Sequence, residues 1–132
     1  MNSGANHNHF AFSHPFNDQY INELYDNDPI LIDETFGDVI REYSPMLQDV
    51  FVCYRAGDIR ALRSAIHRIK PLLGYVGLTS IQSECQQFES NCERDVFPSL
   101  HDDFATLSAN LTSAKALIEG EKARLEAFLN SR

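Results

Sequence analysis

The stretch IRALRSAIHRIKPLLGYV, residues 59–76, decides the fold. At about 100° per residue, Ile59, Leu62, Ile66, Ile69, Leu73 and Val76 gather within about 100° of arc, which predicts one buried face of an amphipathic helix. Arg63, His67, Lys70, Gly74 and Gly77 form a second stripe about a quarter turn away. Just upstream, Gly57 suits the left-handed position that ends one helix, and Asp58 suits the N-cap of the next.

The same period runs outward in both directions. Downstream, Ile81, Cys85, Phe88 and Cys92 mark a helix from Thr79 or Ser80 to Arg94. The Asp95–Pro98 segment breaks the chain. A last helix from Ser99 carries Phe104, Leu107, Leu111, Ala114, Ile118, Leu125 and Phe128. Upstream, Phe36, Val39, Ile40, Tyr43, Met46, Leu47, Val50, Phe51 and Tyr54 recur every three or four residues, with Pro45 predicting a kink rather than a stop. Tyr20, Ile21, Leu24 and Tyr25 predict a short first helix that ends near Asn27-Asp28-Pro29. No segment alternates apolar and polar residues as a half-buried strand does. Each long helix alone would leave an apolar stripe in water. The expectation is an all-α, antiparallel up-down four-helix bundle over residues 20–132, with the short additional N-terminal helix capping one end.

Residues 1–19 are rich in Asn, Ser and His and show no period, so they read as a tail that Phe10, Phe12 and Phe16 could pin. His7, His9 and His14 supply no closed coordination set, and no metal or other cofactor is expected. The three cysteines, Cys53, Cys85 and Cys92, form no CxxC motif. Cys85 and Cys92 lie about 10.5 Å apart along a helix, beyond disulfide reach, and read as small core residues.

With 132 residues, 43% hydrophobic and 23% charged, the chain suits one soluble domain. No apolar run approaches the ~18 residues of a membrane span. The first 30 residues hold neither Lys nor Arg nor a continuous apolar stretch, which argues against a secretory signal. A cytoplasmic chain is the expectation. The net charge of -8 is a poor match for nucleic-acid phosphates. It is unevenly spread: residues 55–70 hold five basic groups (Arg55, Arg60, Arg63, Arg68, Lys70) and one acid, Asp58, within an otherwise acidic protein.

His67 sits in that positive segment, beside the apolar face rather than in it. Lys70, three residues ahead, and Arg63, four behind, are within side-chain reach. Gly within a helix costs about 0.5–1 kcal/mol relative to Ala, so Gly74 and Gly77 need a reason. One reason is bare backbone that another body can approach. An imidazole largely neutral at pH 7 keeps one nitrogen free as a nucleophile, and an ammonium group beside it can offset the charge of a transferred phosphoryl group. The plainer alternative is that Gly77 ends the helix and His67 is an ordinary surface residue.

The run from Ala65 to Leu78, AIHRIKPLLGYVGL, resembles the signature of the histidine-containing phosphotransfer family: a His, a Lys three residues on, and a Gly ten residues after the His. Ala56-Gly57-Asp58 before it and Cys85-Gln86-Gln87-Phe88-Glu89 after it extend the resemblance, which is specific over residues 56–89. Pro71 stands where many members have Gly after the lysine, and Leu72 and Leu73 replace small residues. The resemblance implies a phosphoryl carrier with no kinase activity of its own. His67 would be the phosphoacceptor at Nε2, and Lys70 would steady the phosphoryl oxygens. The partners implied are receiver domains of a hybrid sensor histidine kinase and of a response regulator, which bring their own Mg²⁺. Gly74 and Gly77 would permit their close approach. The docking surface expected around Arg63 adds the apolar residues Met46, Val50 and Leu78. A monomeric, free-standing shuttle is the expectation; the alternative is a helical adaptor that binds receivers without carrying phosphate. A metal-binding bundle finds no support, because Glu84, Glu89, Glu93 and His101 read as residues of polar faces.

Overall fold

The computed structural model describes residues 9–94 and 100–132. Five α-helices and no strand occur among them: α1 (Asp18–Leu24), α2 (Pro29–Arg55), α3 (Ile59–Tyr75), α4 (Thr79–Arg94) and α5 (His101–Ser131). The four long helices close a ring, α2 against α3 and α5, α4 against α3 and α5. This is the expected bundle. The break at Asp95–Pro98 and the start at Ser99 lie outside the described residues.

The helix starts follow local chemistry. Asp28 accepts hydrogen bonds from the amides of Ile30 and Leu31, with Pro29 in the first turn where its missing N–H costs nothing. Asp58 accepts from the amide of Ala61, and Gly57 takes φ +70° before it. α2 runs unbroken through Pro45. The core is the set of stripes read from the sequence: Phe36, Val39, Tyr43, Leu62, Ile66, Ile69, Leu73, Cys85, Phe88, Leu111 and Ile118 are all buried. Tyr43 buries its ring and donates its hydroxyl to the carbonyl of Leu111 at 2.7 Å, so the polar tip has a partner. Cys53 and Cys85 form no disulfide, and burial pushes the Cys85 thiol up to about 12, so it behaves as an inert core residue.

The stretch read as an aperiodic tail is packed against the bundle from Phe10 onward. Phe10, Phe12 and Phe16 are buried, with Phe12 and Phe16 against Phe36 of α2 and Phe10 against Phe128 of α5. Polar anchors reinforce them. Ser13 donates its amide and its hydroxyl to the two carboxylate oxygens of buried Glu121, and Arg124 donates to the carbonyl of Ala11. The strap has no period because it is neither helix nor strand. Only its three aromatic residues announce it in the sequence.

Candidate functional site

His67 lies on the outer side of α3, half a turn from neighbours that anchor the helix: Ile66, Ile69, Leu62 and Leu73 are fully buried. That anchoring holds the imidazole at the surface, with its side chain 68% exposed. Its Nδ1 lies 2.8 Å from Oε1 of Glu89 on α4. A carboxylate only accepts, so the proton of that contact sits on Nδ1 and the neutral ring keeps its lone pair on Nε2. Lys70 reaches the same group. Its ammonium is 2.7 Å from Oε2 of Glu89 and donates to Oε1 of Gln86 at 2.7 Å. Oε2 of Glu89 has this charge contact and no hydrogen bond aligned with it. One nearly buried carboxylate therefore contacts both the exposed imidazole and the amine beside it.

Glu89 corrects the sequence reading, which placed it on a polar face. It is only 5% exposed, turned into the α3–α4 interface beneath His67. Arg63 makes the next contact along that interface, an ion pair with Glu93. Gln86, Glu89 and Glu93 fall at spacings of three and four, and each faces a partner on α3 that steps back by the same interval, as antiparallel helices require. That polar stripe was present in the sequence and went without a role. A cleft of about 360 Å³ opens between these contacts, lined by Arg63, Ser64, His67, Arg68 and Glu89.

The two glycines are not bare ground for a second body; Gly77 ends α3, as the plainer alternative has it. Gly77 has φ +76° and closes α3: its amide bonds the carbonyl of Gly74, and the amide of Leu78 bonds that of Leu73. This is the Schellman arrangement, in which the residue after the glycine packs back on the helix. Leu78 accordingly is 1% exposed and cannot serve a docking surface. A Cβ on Gly77 would run into the side chain of Ile21 on α1, and one on Gly74 would sit 2.5 Å from Nε2 of Gln82. Both glycines are buried and admit other parts of this chain, not a second protein. Val50, expected on the docking surface, is fully buried inside α2's core face, and Met46 is half-buried against the core. Pro71 is exposed, on the outer face as projected.

Among the described residues, no group of three His, Cys, Asp or Glu side chains is arranged to hold a metal ion, and no helix is long and apolar enough to cross a membrane. No curated protein and no solved structure matches the chain. A family model does, the Hpt domain, over residues 33–127, which includes α3, α4, His67, Lys70 and Glu89. Hpt domains are phosphocarrier modules of two-component phosphorelays that work with receiver domains. With the match covering most of its length and the histidine-bearing helix at its centre, the chain belongs to the Hpt domain family.

Proposed function

We propose that His67 accepts a phosphoryl group on Nε2 from the phosphoaspartate of one receiver domain and passes it to the aspartate of another. The observation that carries this is the shared carboxylate: Glu89 holds Nδ1–H of an exposed imidazole on one oxygen and the Lys70 ammonium on the other. In the forward step the Nε2 lone pair forms a bond to phosphorus as the P–O bond to the aspartate breaks, and the aspartate leaves as a carboxylate. The ring then carries positive charge, which Glu89 offsets through Nδ1–H. Lys70 lies where it can neutralise the phosphoryl oxygens. The second receiver's carboxylate reverses the bond changes. Mg²⁺ is assigned to the receiver, and this chain acts as a monomer without a cofactor of its own.

Docking falls to Arg63 and Met46 together with exposed residues of α3 and α1. Pro71 and Tyr75 follow His67 at successive turns of α3, and Tyr75 is 49% exposed. Its carbonyl accepts the Tyr25 hydroxyl at 2.5 Å, which joins this face to the exposed Tyr20 and Leu24 of α1. A mixed face, basic at Arg63 and apolar from Pro71 to Leu24, suits a receiver's surface around its aspartate.

The test is to mix the protein with a receiver carrying labelled phosphoaspartate. Acid-labile, base-stable label is expected on the wild type and none on His67→Gln. A wild type that binds the receiver and takes no label would be an adaptor instead.

A further inference from the structure

We propose that Arg63 changes partner during the carrier cycle, from Glu93 in the unmodified protein to the phosphoryl oxygens once His67 bears them. The inference rests on the reading of His67 as the phosphoacceptor and adds a residue to it. A phosphoryl group brings a charge of about -2 to the ring. The Lys70 ammonium is already matched by Glu89, so that pair is neutral as it stands. Besides that pair the cleft holds two guanidinium groups: Arg63, whose partner is the exposed Glu93, and Arg68. Arg68 follows His67 by one residue, about 100° round the helix, whereas Arg63 lies on the imidazole's own stripe.

Arg63 stands one helical turn before His67, and its contact to Glu93 stands one turn beyond the His67–Glu89 contact on the facing helix. Its side chain lines the same cleft as the imidazole. The Arg63 and Glu93 side chains are 46% and 56% exposed. An ion pair so wet is weakly held, because water screens the attraction and both side chains lose rotamer freedom in making it. Hydrogen bonds from a planar guanidinium to a doubly charged phosphoryl group are stronger and match its geometry. Glu93 therefore acts as a parking place: it keeps Arg63 beside the cleft while His67 is bare and yields it when the stronger anion arrives.

Phosphoramidate, a small phosphoryl donor, tests this without any receiver. Nε2 of His67 forms its bond to phosphorus as the P–N bond of the donor breaks, and ammonia leaves from the donor's protonated amine. The rate of labelling, mapped to His67 by mass spectrometry, is measured for the wild type, Arg63→Gln, Glu93→Gln and the double variant. Arg63→Gln is expected to slow labelling about three- to tenfold, the size of one charge-assisted contact. Glu93→Gln is expected to speed it by releasing the guanidinium, and to have no effect once Arg63 is already Gln. A position that matters only for folding would not raise the rate. Equal rates in all four proteins, or an acceleration by Glu93→Gln that persists in the Arg63→Gln background, would overturn the exchange. A wild type that takes label at His67 neither from phosphoramidate nor from a phosphorylated receiver would overturn the phosphoacceptor reading itself, a distinct failure.

Discussion

At the scale of the residue, the chemistry turns on Glu89. A histidine alone on a helix surface has two interchangeable ring nitrogens, and nothing selects which is nucleophilic. A nearly buried carboxylate on Nδ1 makes that selection and answers the positive charge the ring acquires. Glu89→Gln keeps the shape and removes the charge, so phosphoryl transfer to His67 is expected to fall about tenfold, in line with typical losses for a partner that orients a functional histidine. The check is single-turnover transfer from a phosphorylated receiver, with helical circular dichroism unchanged. Lys70→Ala should slow the same step while leaving the histidine tautomer in place. It should also cost about 1–2 kcal/mol of stability, since Glu89 loses its cationic partner and the site can admit water. If transfer in Lys70→Ala matches the wild type, the ammonium has no part in steadying the phosphoryl group. His67 and Lys70 were legible in the sequence because three-residue spacing on a helix puts them on one side. Glu89 was not, because a projection of α4 alone shows a glutamate near the edge of its apolar stripe and says nothing of what lies across from it. Only the pairing of α3 with α4 turns that edge inward.

At the scale of the element, the glycines separate two ideas that the sequence left together. If Gly74 and Gly77 were clear ground for a receiver, alanine at either would impair transfer and spare stability. The contacts of α3 argue for the opposite pattern. Gly77→Ala places a side chain at φ +76° and against Ile21, and should destabilise the protein by about 2 kcal/mol or more. Gly74→Ala meets only the end of the flexible Gln82 side chain and gains helix propensity, so its net effect should stay within about 1 kcal/mol. Urea unfolding of the two variants distinguishes these; equal, negligible losses in both would restore the docking role. The helices themselves were readable, because core stripes at a 3.6-residue period and the Asp58 cap are properties of a single segment. Leu78 and Val50 were misread for a reason of the same kind. An apolar residue at a helix end or flank is exposed or buried according to which neighbour covers it, and a periodicity contains no neighbours.

At the scale of the whole molecule, the strap over residues 9–17 ties the start of the chain to α5, and its polar clasp is the part that acid can open. Burial raises the Glu121 carboxyl, but hydrogen bonds from Arg124 and from the Ser13 amide and hydroxyl, with the Arg124 charge, outweigh it, so the net shift is downward. A carboxyl held below its unfolded value contributes stability that is fully present above that value, about 4.5, and is lost as pH falls through the folded one. At pH 7 the clasp is therefore closed, with Phe10, Phe12 and Phe16 held against α2 and α5. Glu121→Gln should lower stability at pH 7 by about 1–2 kcal/mol, the worth of charge-assisted hydrogen bonds reduced to neutral ones. The difference from the wild type should shrink as pH drops below about 4.5, where the wild-type carboxyl takes up its proton and resembles the variant. Thermal midpoints of both proteins across that range make the comparison, and a constant gap down to strong acid would show that Glu121 acts through packing alone. Because Glu121 stands apart from His67, Lys70 and Glu89, the variant should transfer phosphate at the wild-type rate at neutral pH. That separates a strap that only holds the bundle together from one that reaches the carrier site.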